Sequence, residues 1–150
     1  MGLQDQIMND IKDAMRAKDS VALESLRAVK AALLLAQTES GAKEAISADA
    51  ELKLLQKLVK QRKDSAAIYI EQGRADLAEP ELAQAAVIEK YLPAQLSESE
   101  IETILRKLLE ENKLFGSAAM GQAMAIGNKE LAGRADGKTI AAIVKKLLGN

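Results

Sequence analysis

Apolar side chains return every third or fourth residue along most of this chain, and no segment alternates convincingly with period two. Leu3, Ile7, Ile11 and Met15 set the pattern, and Leu23, Leu26, Val29 and Leu33 continue it. That spacing lines one face of an α-helix. The available side chains agree. Hydrophobic residues make up 48% of the sequence but aromatic ones only 2%, so any core must be built from Leu, Ile, Val, Met and Ala. A palette poor in aromatic and β-branched residues favours helix over sheet. The expected fold class is all-α.

Punctuation divides the pattern into helices. Asp19 or Ser20 suits the cap of the second helix. TESGAKEAISADAE (38–51) reads as a loop ending near a Ser47 cap. A long helix from Ala48 to about Gln72 follows, spanning about 35–40 Å. Gly73 fits the left-handed position after it, and Asp76 with Glu79 reads as a capping box for the next helix, with Pro80 near the limit of its first turn. Leu92-Pro93 should end that helix. Ser97 and Glu100 form another capping box, with Leu96 and Ile101 placed as a hydrophobic staple. The helix they open carries Ile101, Leu105, Leu108 and Leu109. Ser117 can cap a short helix with Met120 and Met124. Gly133 ends the structure that follows, and Asp136 caps a last helix with Ile140, Ile143, Val144 and Leu147 inside. The expected organisation is an N-terminal antiparallel helical unit over 1–93 and a small C-terminal three-helix unit over 94–150.

Composition excludes much chemistry. Cysteine and histidine are absent, so the chain can offer no disulfide, thiolate nucleophile, imidazole base or standard zinc site. No metal and no cofactor is expected. Net charge is −1, so attraction to nucleic acid would have to come from a local patch. No run approaches the length of a bilayer span, and the opening MGLQDQIMNDIKDAM lacks the apolar run of a secretion signal. The expectation is a soluble, cytoplasmic protein with no membrane partner.

Three stretches exceed what folding requires. In Lys60-Gln61-Arg62-Lys63-Asp64-Ser65, Arg62 falls where the stripe of Leu52, Leu55 and Val59 calls for an apolar residue. Either the helix leaves the core there, or Arg62 pairs with a carboxylate at a helix junction, or Lys60 and Arg62 form a ligand face that Lys53 and Lys57 extend. In the segment 120–127, Gly121 and Gly127 interrupt a helix at about 1 kcal/mol each against alanine. They suit close approach by a neighbouring helix or by a nucleic-acid backbone. The third stretch is GRAD, spelled at Gly73–Asp76 and again at Gly133–Asp136, where it continues as GRADGK. Glycine and aspartate serve a helix stop and restart, whereas arginine does not follow from that geometry. Around the second copy, Arg134 and Lys138 flank a helix N-terminus, and Gly133 and Gly137 keep its backbone accessible to an anion. From Lys113 onward, six cations, Lys145 among them, stand against Glu130 and Asp136. The copy reads either as a solvated helix end or as a phosphate contact.

Taken in order, Leu26-Arg27, KQRKDS (60–65), GRADLA (73–78), YLPAQLSESEI (91–101), MGQAM (120–124) and GRADGK (133–138) resemble the GatB/YqeY family over almost the whole chain. The C-terminal part resembles the tail domain of the B subunit of the tRNA-dependent Asp/Glu-tRNA amidotransferase, a carbon–nitrogen ligase that uses glutamine. The resemblance implies a tRNA-facing role for the C-terminal unit, through Gly133, Arg134, Gly137, Lys138 and Lys145, with Lys60, Arg62, Arg74 and Gly121 as secondary candidates. An amidotransferase or another translation-related protein is the implied protein partner. The catalytic core of that enzyme is far larger than this chain, so an accessory role is expected rather than catalysis by the chain alone. Participation in amide transfer within a complex and a purely protein-docking module are the alternatives.

Overall fold

The computed structural model describes residues 2–39, 41 and 46–149. Among these, all regular structure is helical: α1 (Leu3–Ala17), α2 (Ser20–Glu39), α3 (Ala48–Glu71), α4 (Ala75–Glu89), α5 (Glu98–Glu111), a 3-10 turn (Ser117–Ala119), α6 (Met120–Glu130) and α7 (Gly137–Leu147). Contacts divide the chain into two compact units, Met1–Leu92 and Pro93–Asn150. The loop expected at 38–51 lies partly outside the described residues.

In the first unit, α1 packs on α2, α2 on α4, and α3 pairs extensively with α4. Their apolar stripes meet in a core of Ile7, Leu26, Val29, Leu33, Leu55, Val59, Ala85 and Ile88. The α1 stripe departs from expectation at its end, where Met15 is exposed and Ala14 is buried. Steps of four residues overrun the helical turn by about 40° each, so the inward position passes from the fourth residue to the third. Two polar groups inside this unit are satisfied. Buried Ser25 donates its hydroxyl to the Val21 carbonyl at 2.7 Å. The Tyr91 hydroxyl donates to the Asp10 carboxylate, and burial followed by that bond pushes the phenol well above its ordinary pKa.

Helix ends follow the sequence signals in part. The Asp19 carboxylate accepts from Ala22 N–H at 3.1 Å, and Ser47 Oγ accepts from Ala50 N–H at 3.1 Å. Gly73 has φ +72, and the bonds Gly73 N–H to Ile70 O (3.0 Å) and Arg74 N–H to Tyr69 O (2.7 Å) close α3 in a Schellman motif. The capping box expected from Asp76 and Glu79 does not form. Helix α4 already begins at Ala75, and Asp76 in its first turn is held by Arg74 through bonds of 3.1 and 3.0 Å. Pro80 therefore lies inside α4 rather than at the edge of its first turn, and leaves the Asp76 carbonyl without its helical donor.

The second unit packs α5, α6 and α7 around Ile101, Leu105, Leu109, Leu131, Ile140 and Val144, with Ala123 between them. The Ser97–Glu100 capping box is present, with bonds of 3.2 Å and 3.1 Å, and Leu96 packs against the cluster that contains Ile101. Ser117 caps nothing. The 3-10 turn starts with it, and α6 begins only at Met120. A methyl group added at Gly127 would stand 3.0 Å from Leu105 Cδ2 and 3.4 Å from Ile140 Cγ2. Gly127 is thus where α5 and α7 close on α6.

Candidate nucleic-acid interface

The second GRAD occupies the turn between α6 and α7 and is built differently from the first. Gly133 is buried and left-handed, with φ +78. Its carbonyl accepts Gln95 Nε2 at 2.7 Å, and the Arg134 carbonyl accepts Leu96 N–H at 3.0 Å. The segment that leads into α5 therefore fastens the turn. Arg134 is half-buried, and its guanidinium donates to the Glu130 carbonyl at 3.0 Å, at the C-terminal end of α6, where helix dipole and free carbonyls favour a cation. Asp136 takes the extended N-cap geometry of α7 (φ −74, ψ 138), but its side chain makes no capping bond. The first N–H groups of α7 are left without a side-chain acceptor, beside exposed Gly137 and Lys138.

From that end a cationic stripe runs along α7. Lys138, Ala142, Lys145 and Lys146 are all exposed and fall within about 100° of one another on the helical wheel. Lys146 reaches Glu102 at 3.5 Å, a carboxylate it shares with Arg106 at 2.9 Å. Among the described residues Lys138 and Lys145 form no ion pair. An open groove of about 680 Å³ runs between α5 and α7, with Glu98 and Glu102 among the residues of one wall and Lys138, Ala142 and Lys146 among those of the other. It carries both signs, so it is no simple anion pocket. The cationic surplus counted from Lys113 onward is likewise local. Over residues 93–150, eight Lys and Arg accompany seven Asp and Glu, with Glu98, Glu100 and Glu102 at the start of α5. Positive potential is concentrated on α7 by placement, not by net charge.

The secondary candidates are dispersed. Arg62 lies half-buried between α3 and α4, its Nε donating to Gln84 Oε1 at 3.1 Å and its Nη1 to the Leu58 carbonyl at 3.1 Å. Gln84 in turn reaches Glu24 at 3.5 Å, so Arg62 knits α3 to α4 next to α2. Lys60 pairs with Asp64 at 3.3 Å on the outer face, and Lys63 pairs with Glu89. Arg74 is exposed and committed to Asp76, whose carboxyl it holds below the ordinary range. Gly121 is exposed, with open space where a side chain would go, so no neighbouring helix accounts for it. Sequence reasoning missed Gln95 as the fastener of the GRADGK turn, since a bond spanning 38 residues leaves no local signal. Lys146, one of the six cations from Lys113 onward, stands eight residues from Lys138 and joins it on the α7 stripe.

Among the described residues no helix is long and apolar enough to cross a membrane, and no group of three or more acidic side chains is placed to hold a metal ion. The chain is similar to proteins named "Altered inheritance of mitochondria protein 41, mitochondrial". The relative from Pyrenophora tritici-repentis is 31% identical over 152 residues, covering 96% of this chain and 80% of its own length. That from Meyerozyma guilliermondii is 33% identical over 107 residues, or 70% of this chain and 55% of the relative. The Clavispora lusitaniae relative is 34% identical over 106 residues, with 69% of this chain and 61% of the relative covered. The chain thus spans less than two thirds of the length of the last two. The expectation of a cytoplasmic protein is overturned by these relatives, whose naming as mitochondrial proteins points to mitochondria instead. The sequence model described as "Yqey-like protein" matches residues 4–148, and the chain accordingly belongs to the YqeY-like family.

Proposed function

We propose that this chain is an accessory RNA-binding protein whose second unit contacts tRNA through α7. The observation that carries this reading is the exposed stripe of Lys138, Ala142 and Lys145, which leads away from a helix N-terminus whose side chain leaves the N–H groups free. Phosphate binding asks for that combination, because cations and oriented N–H groups both favour an anion. The small Ala142 between the lysines lets a backbone lie close. Recognition of this kind reads shape and charge rather than sequence. The lack of thiol and imidazole groups throughout the chain favours binding over turnover.

Fluorescence anisotropy with labelled bulk tRNA across a salt series tests the reading, in the absence of glutamine and ATP. Affinity should fall steeply with salt. Replacing both Lys138 and Lys145 with Ala should weaken binding and flatten the log–log slope by about one to two units. Arg74→Ala should leave the slope alone, because Arg74 is already committed to Asp76. Wild-type binding with the same slope in the double variant would remove α7 as the contact.

A further inference from the structure

Of the three lysines on the α7 stripe, Lys146 alone is held by another helix among the described residues. Its ammonium donates to Glu102 Oε1 at 3.5 Å, and the Arg106 guanidinium donates to the same oxygen at 2.9 Å. The groove between α5 and α7 separates the lysines in the same way. Lys138 and Lys146 line it, opposite Glu98 and Glu102, whereas Lys145 is not among its lining residues. The lysine next to Lys146 in sequence is therefore free of the carboxylate wall that holds Lys146.

The needs of α5 account for Glu98 but not for Glu102. Glu98 and Glu100 stand in the first turn, where the helix dipole favours a carboxylate, and Glu100 completes the capping box. Glu102 falls in the second turn, where the dipole has faded. Its side chain is 27% exposed against 70% for Lys146, so the carboxylate sits in the groove wall and the lysine reaches in to it. A phosphate drawn to Lys146 would have to break that pair. It would then face Glu98 and Glu102 across the groove, with like charge against like. A phosphate at Lys145 meets no such competitor, since Lys145 is exposed and forms no ion pair among the described residues.

We propose that Glu102 is a positioning residue that withholds Lys146 from the RNA and confines the phosphate contact to Lys138 and Lys145. This rests on the RNA reading of α7 and names the residue that limits it. The carboxylate acts as an internal competitor for phosphate, and it sets both the affinity of the surface and its dependence on salt. Neutralising it releases one further cation to the RNA, and each added phosphate contact steepens the fall of affinity with salt.

The experiment uses the full chain and labelled bulk tRNA, followed by fluorescence anisotropy from about 50 to about 200 mM salt. Glu102→Gln should tighten binding about threefold or more at the low end and steepen the log–log slope by about 0.7–0.9. Over that range of salt the gain should shrink by about threefold. Glutamine keeps an oxygen to accept from Arg106, and the circular dichroism melt should match wild type. Glu71→Gln makes the same change of charge at an exposed residue of α3 and measures the effect of net charge alone. In a Lys146→Ala background, Glu102→Gln should gain no more than Glu71→Gln does. A wild-type slope in Glu102→Gln, or the full gain persisting with Lys146→Ala or produced by Glu71→Gln, would overturn the withholding of Lys146 and leave the α7 reading in place. Absence of wild-type binding at low salt would overturn both.

Discussion

Two identical substitutions on α6, six residues apart, should act differently on stability. Gly121→Ala places a methyl group in open solvent, where it has no neighbour within 4 Å. The gain is helix propensity alone, at most about 1 kcal/mol and smaller near the helix start, where Gly121 is the second residue. Gly127→Ala gains the same propensity but sets its methyl 3.0 Å from Leu105 Cδ2 and 3.4 Å from Ile140 Cγ2. Relaxed carbon–carbon contacts lie near 3.5–4.0 Å, so Leu105 has to retreat by a few tenths of an ångström. Leu105 is 1% exposed and Ile140 2%, which leaves neither an open direction. Overpacking of this kind costs about 1–3 kcal/mol. Set against the propensity gain, Gly127→Ala comes out between neutral and destabilising by about 2 kcal/mol.

The two variants should therefore differ by about 1–3 kcal/mol. Urea denaturation of the full chain, followed by helical circular dichroism, resolves that difference as a separation of midpoints at constant m. Equal stabilisation by both would refute the close packing of α5 and α7 on α6. The pair also bears on function. If RNA backbone approaches the open surface at Gly121, Gly121→Ala will weaken tRNA binding while raising stability, a combination that a purely structural glycine cannot produce.

Arg62→Ala should destabilise the protein by about 1–3 kcal/mol, because Gln84 loses its guanidinium partner between α3 and α4, while tRNA affinity stays at the wild-type level. A stable variant with impaired binding would make Arg62 a ligand contact after all. Glu100 supplies a pH signature. The Ser97 backbone N–H, and then the Ser97 hydroxyl, hold its carboxyl below the ordinary 4.5. A depressed carboxylate contributes stability that is fully present above the unfolded pKa and lost as pH falls through the folded one. Glu100→Gln should flatten the acid limb of the urea midpoint below about pH 4.5, and superimposable pH profiles would disprove the assignment.

What was legible in the sequence was what neighbouring residues decide among themselves. The Ser47 cap, the Ser97–Glu100 box and the left-handed Gly73 and Gly133 each depend on a few adjacent positions, and each stands where the local chemistry puts it. The polar interruption at 60–65 was legible as an anomaly but not as a contact. Its partner Gln84 is 22 residues away, and only the pairing of α3 with α4 brings it to Arg62. Asp76 failed as a cap because a competing partner, Arg74, stood two residues away with a guanidinium that grips both carboxylate oxygens. Lys18 and Lys113 hide for a related reason. Both take left-handed helix-end positions usually given to glycine, with φ +56 and +54, so the sequence carries no marker for those turns.

The two GRAD copies show where local identity stops specifying structure. Both glycines are left-handed, which is the part the letters share. After the first, α4 restarts two residues later at Ala75, and Arg74 turns forward to Asp76. After the second, α7 restarts only at Gly137, and Arg134 turns back to the Glu130 carbonyl. The difference comes from outside the motif. In the first copy the carbonyls of the preceding helix are closed by its own Gly73 and Arg74 N–H groups, so the chain can re-enter helix at once. In the second, Gln95 and Leu96 take the Gly133 and Arg134 carbonyls, and that holds the turn open for two more residues. Those two residues bring Asp136, rather than the arginine, to the helix entrance, and Lys138 to the start of an exposed cationic stripe. The same four letters thus close one helix hairpin and, under a different tertiary restraint, open a turn that places Lys138 at the head of an exposed cationic stripe.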